Sequence, residues 1–209
     1  MRWKTICFDL DNTLFSHEDA FEKAICFCFD TLLKAKNLQE GIDTKKLFTV
    51  FKKYSDVYWN DYETGVLSQT EYRRKRFLQT AAHFHFPFTY SEADDFHEHY
   101  YLVIDDFSEP YPQLSLLMEN LAKANIKLGI ITNGTADTQY NKINKLALNQ
   151  WFSDDCILIS EEVKVCKPNR EIFDLAKKKL QSDGDYLFVG DSWDHDVIGA
   201  IEAGWDSIF

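Results

Sequence analysis

One stretch decides the fold of this chain, Phe8-Asp9-Leu10-Asp11-Asn12-Thr13-Leu14. It follows a short apolar run that begins at Thr5. Asp is a poor strand former and a buried unpaired carboxylate is costly, so the two acids predict the point where a strand ends. Two carboxylates at such an edge can share a divalent cation, and one of them can attack an electrophile. The alternative is a loop whose Asp residues only cap a turn or a helix.

The chain after Leu14 changes to a helical pattern. Apolar spacing, capping residues and the breaks at Gly65 and Pro87 predict four helices, the first beginning near Ser16 and the others at about 44–62, 68–86 and 91–107. The block 15–107 contains 12 of the 17 Phe and seven of the ten Tyr. This density indicates a separately packed helical unit, because such a layer needs bulky side chains to fill its own core.

Helices and strands alternate from Pro110 onward. Apolar runs predict strands at 126–131, 156–159 and 186–189, with a last strand in which the sequence ends at Phe209, separated by helices at about 135–148, 169–180 and 196–203. The pattern favours an α/β fold with a parallel Rossmann-like sheet flanked by helices and an inserted four-helix cap domain. We expect a core domain at 1–15 and 108–209 and a cap domain at 16–107.

Polar side chains follow the predicted strands at their carboxyl ends, where ligands bind in sheets of this kind. These residues are Asp9 and Asp11, Thr132 and Asn133, and Asp191 and Asp196. Unrelated loops would not place acids and hydroxyls at the same edge so regularly. The arrangement therefore favours a functional site over simple turn caps.

Oxygen ligands of this kind suit Mg²⁺, which commonly bridges carboxylates and substrate phosphate. Asp9, Asp191 and Asp196, joined by the backbone carbonyl of Asp11, would form the shell. The hydroxyl of Thr132 and the amides of Asn133 and Gly134 would hold a phosphoryl group at a helix N-terminus. Asp9 could then attack phosphorus while Asp11 donates and later accepts a proton.

A cation for the phosphate is expected from the segment after the third strand. Lys164 and Lys167 both lie there, and Lys167-Pro168 is predicted to open the next helix, which would aim Lys167 at the site. The alternative is an ordinary surface lysine.

Four segments in this order, FDLDNTLF, ITNG, CKPNREIF and VGDSWDHD, resemble the motifs of the haloacid dehalogenase superfamily, specifically its phosphatases with a helical C1-type cap. The resemblance implies a core of that fold, an aspartyl-phosphate intermediate and a Mg²⁺ cofactor. It implies the following roles: Asp9 as nucleophile and metal ligand, Asp11 as acid/base and metal ligand, Thr132, Asn133 and Lys167 as phosphate ligands, and Asp191 with Asp196 around the metal, Asp191 the more directly.

The acid at Asp11 favours a phosphatase over the dehalogenases of the superfamily, which lack an acid at that position because a halide needs no proton. One departure concerns His195, which stands where many relatives carry Asn. The metal shell beside Asp196 is therefore expected to differ.

Composition limits the partners. The chain has 209 residues and a formal net charge of -11, which disfavours nucleic acid and anionic membranes and favours a small phosphorylated metabolite. Five cysteines without CxxC spacing are interpreted as buried thiols in a reducing compartment. The N-terminus shows no signal-peptide pattern, so a cytoplasmic location is the default expectation. A monomer is the default expectation for the oligomeric state.

One basic run, Arg73-Arg74-Lys75-Arg76, interrupts the acidic chain. It is interpreted as a solvated helix face, with the alternative that Arg73 or Arg76 contacts the substrate. The favoured function is hydrolysis of a phosphomonoester, first of a nucleoside 5′-monophosphate, then of a sugar phosphate or phosphoglycolate. A phosphomutase, a 2-haloacid dehalogenase and a catalytically silent regulatory protein are the alternatives.

Overall fold

The computed structural model describes residues 2–209, which divide into two compact units. The first comprises the chain up to Glu18 together with Ser108–Phe209, and the second is Asp19–Phe107. Helix α1 (His17–Ala35) begins in the first unit and continues into the second. Each unit has a packed interior of its own.

The second unit is helical. After α1 it contains α2 (Thr44–Glu63), α3 (Gln69–His83), α4 (Tyr90–Val103) and a short 3₁₀ turn (Ile104–Phe107). Both α3 and α4 begin with a capping box, formed by Ser68 with Glu71, as the sequence predicts, and by Thr89 with Glu92, which the sequence prediction did not include.

Phenylalanine rings fill the helical unit, as the composition predicted. Phe96 of α4 lies 4.6 Å from Phe29 and 4.8 Å from Phe77, measured between ring centroids, and Phe51 of α2 completes the group. All four side chains are buried. Rings at these separations add favourable edge and offset contacts to the burial of apolar area.

The first unit contains a five-stranded parallel sheet in the order β3-β2-β1-β4-β5. The strands are β1 (Trp3–Phe8), β2 (Lys127–Thr132), β3 (Ile157–Ile159), β4 (Asp185–Val189) and β5 (Asp206–Ile208). The central strands are apolar and buried on both faces, as a parallel sheet covered by helices requires. The predicted fold class is confirmed.

The helices of this unit are α5 (Leu114–Lys123), α6 (Ala136–Lys145), α7 (Ser160–Val163), α8 (Arg170–Leu180) and α9 (Gly199–Glu202). One buried cluster packs α8 against the sheet through Phe173, Phe188 and Trp205. This packing holds the segment before α8 firmly against the ends of the strands.

Two helix boundaries differ from the sequence prediction. Helix α8 begins at Arg170 and is capped by the side chain of Asn169, so Pro168 lies outside it and does not occupy its first turn. The last helical segment begins earlier than position 196, with a π-helical turn (Trp193–Ile198) before α9. In that turn the Ser192 carbonyl accepts from the amides of both Asp196 and Val197, at 2.9 and 3.2 Å.

The cysteines are all free thiols, but the prediction that they are buried is only partly right. Cys7 and Cys28 are buried, Cys26 and Cys156 are half-buried, and Cys166 is exposed. No helix within residues 2–209 combines the length and the apolar character needed to cross a membrane.

His97 of the helical unit generates a prediction about acid stability. Its side chain is buried, and its Nε2 lies 2.9 Å from the Arg73 carbonyl oxygen. Burial, and next the charge of Arg76, lower the pKa of His97 from 6.5 to about 3. Between pH 6.5 and 3 the His97 side chain is therefore protonated in the unfolded chain and neutral in the folded protein. The free energy of unfolding falls as the pH drops through this range, by at most about 1.4 kcal/mol per pH unit from this group.

Urea unfolding of His97→Gln between pH 7 and pH 4.5 should therefore show a shallower loss of stability than the parent protein. His83→Gln, at an exposed position of α3, is the matched control and should keep the parent slope. Equal slopes for His97→Gln and the parent would show that His97 does not stay neutral in the folded protein.

Candidate active site

The parallel register brings the residues after β1, β2 and β4 to one edge of the sheet. Phe8 is aligned with Ile130 on one side and with Val189 on the other. Asp9 follows β1 directly, and its amide donates to the Val189 carbonyl oxygen at 2.9 Å. The polar residues at the three strand ends are therefore neighbours in space although they are far apart in sequence.

Lys167 joins two of the predicted site residues. Its side chain is 3% exposed, and its Nζ lies 2.5 Å from Asp9 Oδ1 and 2.6 Å from Asp196 Oδ1. The other candidate, Lys164, is exposed and has a left-handed backbone conformation. Of the two lysines before α8, Lys167 is the one that enters the carboxylate group.

Three carboxylates meet at this point. One oxygen each of Asp9, Asp191 and Asp196 lies within 4.8 Å of the others, with Asp9 and Asp196 buried and Asp191 exposed. When all are ionised, three carboxylates and the ammonium of Lys167 leave a charge of -2 in the group. Hard oxygen donors with that residual charge fit a divalent cation such as Mg²⁺.

Electrostatics at Asp9 and Asp191 agree with a site that lacks positive charge. Burial raises the pKa of Asp9 to about 6, with Asp196 adding to the increase and Lys167 opposing it. Burial and the neighbouring Asp196 also raise the pKa of Asp191. Additional positive charge beside these groups would favour their ionised forms.

Asp196 is held more tightly than Asp191. Its Oδ1 accepts from Lys167, and its Oδ2 accepts from the Ser192 amide at 3.0 Å. Asp191 is exposed and retains more room for a ligand. This asymmetry supports the expectation that Asp191 binds a metal more directly than Asp196.

Asn133 positions Lys167. Its side-chain Nδ2 donates to the Lys167 carbonyl oxygen at 3.0 Å, and its Oδ1 accepts from the Lys167 amide at 2.8 Å. The side chain of Asn133 is thereby bonded to the backbone of Lys167, so any contact with an anion would have to come from the backbone N–H of Asn133. The backbone amide of Gly134 was also predicted to bind the anion, but in the structure it donates to Ser160 Oγ at 3.0 Å.

Asp11 is held by two residues of α6 that the sequence analysis did not identify. Lys142 Nζ lies 2.6 Å from Asp11 Oδ1, and Gln139 Nε2 donates to Asp11 Oδ2 at 3.1 Å. Burial alone would raise the pKa of Asp11, but the charges of Lys142 and His17 and the hydrogen bonds outweigh it and lower that pKa. The carboxylate of Asp11 is not among the three that converge, so its metal role rests on the backbone carbonyl and stays a prediction.

Arg73, Arg76 and His195 are the remaining candidates. Arg73 and Arg76 belong to the helical unit. His195 is exposed in the π turn, and its backbone amide donates to Ser192 Oγ at 3.2 Å. His195 is not part of the converging carboxylate group among residues 2–209.

Comparison with known proteins assigns the family. A sequence profile described as haloacid dehalogenase-like hydrolase matches residues 3–204. The chain belongs to the haloacid dehalogenase-like hydrolase family, which confirms the resemblance seen in the four motifs.

Similar proteins include a nucleotidase and a phosphatase. The chain is 30% identical over 207 residues to the pyrimidine 5′-nucleotidase YjjG of Escherichia coli (strain K12), covering 98% of this chain and 84% of that protein. It is 35% identical over 99 residues to a glyceraldehyde 3-phosphate phosphatase of Methanopyrus kandleri, covering 47% of this chain and 42% of that protein.

The crystal structure of the putative HAD-hydrolase YfnB from Bacillus subtilis bound to magnesium has a similar fold. It superposes with a TM-score of 0.73 at 24% identity, over 99% of this chain and 86% of that one.

Gly190, between β4 and Asp191, generates a prediction about the site. A Cβ at position 190 would lie 2.3 Å from Asp196 Oδ2 and 2.5 Å from its Cγ, so Asp196 can approach only a glycine. We expect Gly190→Ala to displace Asp196 from Lys167 and to lower hydrolase activity by about tenfold or more. The measurement is kcat/KM on the best substrate, with circular dichroism as the test of folding.

Gly204→Ala is the matched control. Nothing lies within 4 Å of a Cβ there, but the φ of +75° makes the change cost about 1 kcal/mol of stability. We expect this variant to lose stability and to keep its activity. Full activity in Gly190→Ala would show that the close approach of Asp196 is not required.

Proposed function

We propose that this protein is a Mg²⁺-dependent phosphatase that hydrolyses phosphomonoesters through an aspartyl-phosphate on Asp9. The observation that carries the proposal is the group of three carboxylates around the buried ammonium of Lys167, at the carboxyl edge of a parallel sheet. Such a group can hold a divalent cation and a phosphoryl group side by side.

Asp9, Asp191 and the backbone carbonyl of Asp11 would hold Mg²⁺, with Asp196 bonded to Lys167 and Ser192 behind them. When bound, the ion would neutralise charge on the phosphoryl oxygens and on the carboxylates. The residual charge of the group supports this assignment, because the carboxylates around Lys167 are not balanced by protein cations alone.

The phosphoryl group would be held by this chain's own donors. Lys167 offers an ammonium and Thr132 a hydroxyl, both on buried side chains, and the backbone amide of Asn133 directly follows Thr132 in the sequence. Thr132 Oγ1 accepts from Gln139 Nε2 at 2.6 Å, and its own hydroxyl donates to the Asn133 carbonyl oxygen at a long 3.5 Å, so a phosphate oxygen would have to replace only that weak contact.

Reaction proceeds in two halves. In the first, a carboxylate oxygen of Asp9 bonds to phosphorus, the bond from phosphorus to the alcohol oxygen breaks, and that oxygen takes a proton from Asp11. In the second, Asp11 takes a proton from water, the water oxygen bonds to phosphorus, and Asp9 leaves as a carboxylate with release of inorganic phosphate.

The lowered pKa of Asp11 keeps it a carboxylate in the resting protein, and in that form it can accept the proton of the second half. The proton for the first half would then enter with the substrate, because a phosphomonoester has its second pKa at about 6. Asp11 would carry that proton from the phosphoryl group to the leaving oxygen.

A nucleoside 5′-monophosphate is the first substrate class that we propose. The support is the similarity to a protein named as a pyrimidine 5′-nucleotidase over nearly the whole chain. Sugar phosphates, phosphoglycolate and other small phosphomonoesters come next, since a protein named as a glyceraldehyde 3-phosphate phosphatase matches about half of the chain.

The test is hydrolysis of p-nitrophenyl phosphate and of a panel of nucleoside monophosphates and sugar phosphates with and without Mg²⁺. We expect turnover only with Mg²⁺ and none in Asp9→Asn, because the amide cannot attack. Asp137→Asn, at an exposed position of α6, should keep full activity as the control. Hydrolysis that survives in Asp9→Asn, or a wild type that hydrolyses only 2-haloacids, would overturn the proposal.

Magnesium binding has its own measurement. Mg²⁺ should raise the thermal midpoint of the wild type, because a ligand that binds only the folded state stabilises it. The free energy of unfolding increases by about 2.7 kcal/mol when the Mg²⁺ concentration is 100 times Kd. Asp191→Asn should abolish most of that increase. An equal increase in both proteins would place the ion elsewhere.

Arg76 is the stronger of the two proposed substrate contacts in the helical unit. Arg73 donates to Tyr101 Oη at 2.6 Å and stacks on its ring. Arg76 is 7% exposed. Within residues 2–209 its Nε has no hydrogen-bond partner, and its guanidinium donates one hydrogen bond, from Nη1 to Tyr72 Oη at 3.4 Å. No carboxylate within residues 2–209 pairs with it, and burial lowers its pKa.

A buried guanidinium without an anion is costly, and its contacts with the rings of Phe51 and Tyr72, each 4.8 Å away, offset only part of that cost. We therefore expect Arg76→Met to raise KM for the best substrate by about tenfold, the loss of one charge-assisted hydrogen bond. Arg73→Met is the control and should change KM little. Unchanged KM in Arg76→Met would exclude the contact.

A further inference from the structure

Two side chains of α6 are hydrogen-bonded to Asp11, the proposed acid/base residue. Lys142 and Gln139 stand three positions apart, which places them on one face of the helix. Each contacts a different oxygen of Asp11, at 2.6 Å from Lys142 Nζ and 3.1 Å from Gln139 Nε2. The carboxylate is thereby fixed in both its position and its plane.

Asp11 is the main polar contact of the Lys142 ammonium. Its side chain is only 9% exposed, which is uncommon for lysine. Asp11 is the one carboxylate within 4.0 Å of its Nζ among residues 2–209, and the ring of Phe15 lies 6.0 Å from it. A buried ammonium costs free energy that a single ion pair repays only with good geometry. The ammonium of Lys142 therefore depends on its close contact with Asp11.

Gln139 connects Asp11 to a second site residue. Its Nε2 also donates to Thr132 Oγ1 at 2.6 Å and lies 3.2 Å from the Asn133 carbonyl oxygen. The side chain is 1% exposed and packs against Gly134, where a Cβ would lie 3.0 Å from Gln139 Cδ. One amide therefore sets the distance between Asp11 and the hydroxyl of Thr132.

We propose that Lys142 and Gln139 are positioning residues that align Asp11 with the leaving oxygen of the substrate. The inference rests on the proposed phosphatase activity. Lys142 fixes the carboxyl group, and Gln139 fixes it relative to the hydroxyl that holds the phosphoryl group. Proton transfer depends steeply on such alignment, because the donor must lie within hydrogen-bond distance of the leaving oxygen.

This role predicts a dependence on the leaving group. An alkyl alcohol leaves poorly without a proton, whereas p-nitrophenolate leaves readily. We expect Lys142→Met to lower kcat/KM for an alkyl phosphomonoester by about 10- to 100-fold, within the range of general acid catalysis, and for p-nitrophenyl phosphate by less than about threefold. A change that only loosened the fold would lower both equally.

Three further variants complete the experiment. Lys142→Arg keeps the charge and should recover most of the activity on the alkyl ester. Asp11→Asn should be no more impaired when combined with Lys142→Met, because both changes act on the same group. Lys178→Met, at an exposed position of α8, removes the same charge and should leave kcat/KM unchanged.

Gln139→Leu tests the second contact and carries the test if Lys142→Met does not fold. It should lower kcat/KM for the alkyl ester more than for p-nitrophenyl phosphate, and it should also raise KM for both through Thr132. Equal losses on both esters, additive effects with Asp11→Asn, or no loss at all would overturn the inference while leaving the phosphatase intact. A wild type without phosphatase activity would remove both proposals together.

Discussion

The first unit depends on one buried ion group, the ammonium of Lys167 between Asp9 and Asp196. Removing one partner of such a group leaves an uncompensated charge in the interior and costs about 3–5 kcal/mol, so each member requires the others. The contacts of 2.5 and 2.6 Å tie together the end of β1, the π turn after β4 and the segment before α8. The same three elements would carry the reaction.

Supporting contacts around this group explain otherwise odd features of the chain. Position 190 requires glycine because the Asp196 carboxylate occupies the space that a Cβ would need. Asn133 is bonded to the backbone of Lys167 on both sides, and the π turn delivers the Ser192 amide to Asp196. A local departure from regular helix is a frequent companion of a functional site. Each feature orients a charge that would otherwise be free to turn away.

The helical unit has a different physical basis. Its core is made of stacked and tilted phenylalanine rings, which need no polar partners. Two basic side chains, Arg76 and His97, are nonetheless buried in this unit, and each has a nitrogen atom without a hydrogen-bond partner within residues 2–209. Buried basic groups with an unpartnered nitrogen are costly, and the proposed substrate contact would offset that cost for Arg76.

The sequence alone determined the fold class, the family and the residues at the strand ends, because hydrophobic period and motif spacing are local properties. It could not place Pro168 outside α8 or detect the π turn. It also missed Gln139 and Lys142, since a polar residue on an amphipathic helix is read as facing water. Only the tertiary structure decided that these two side chains face Asp11, because the register of parallel strands brings residues 128 and 131 positions apart into contact.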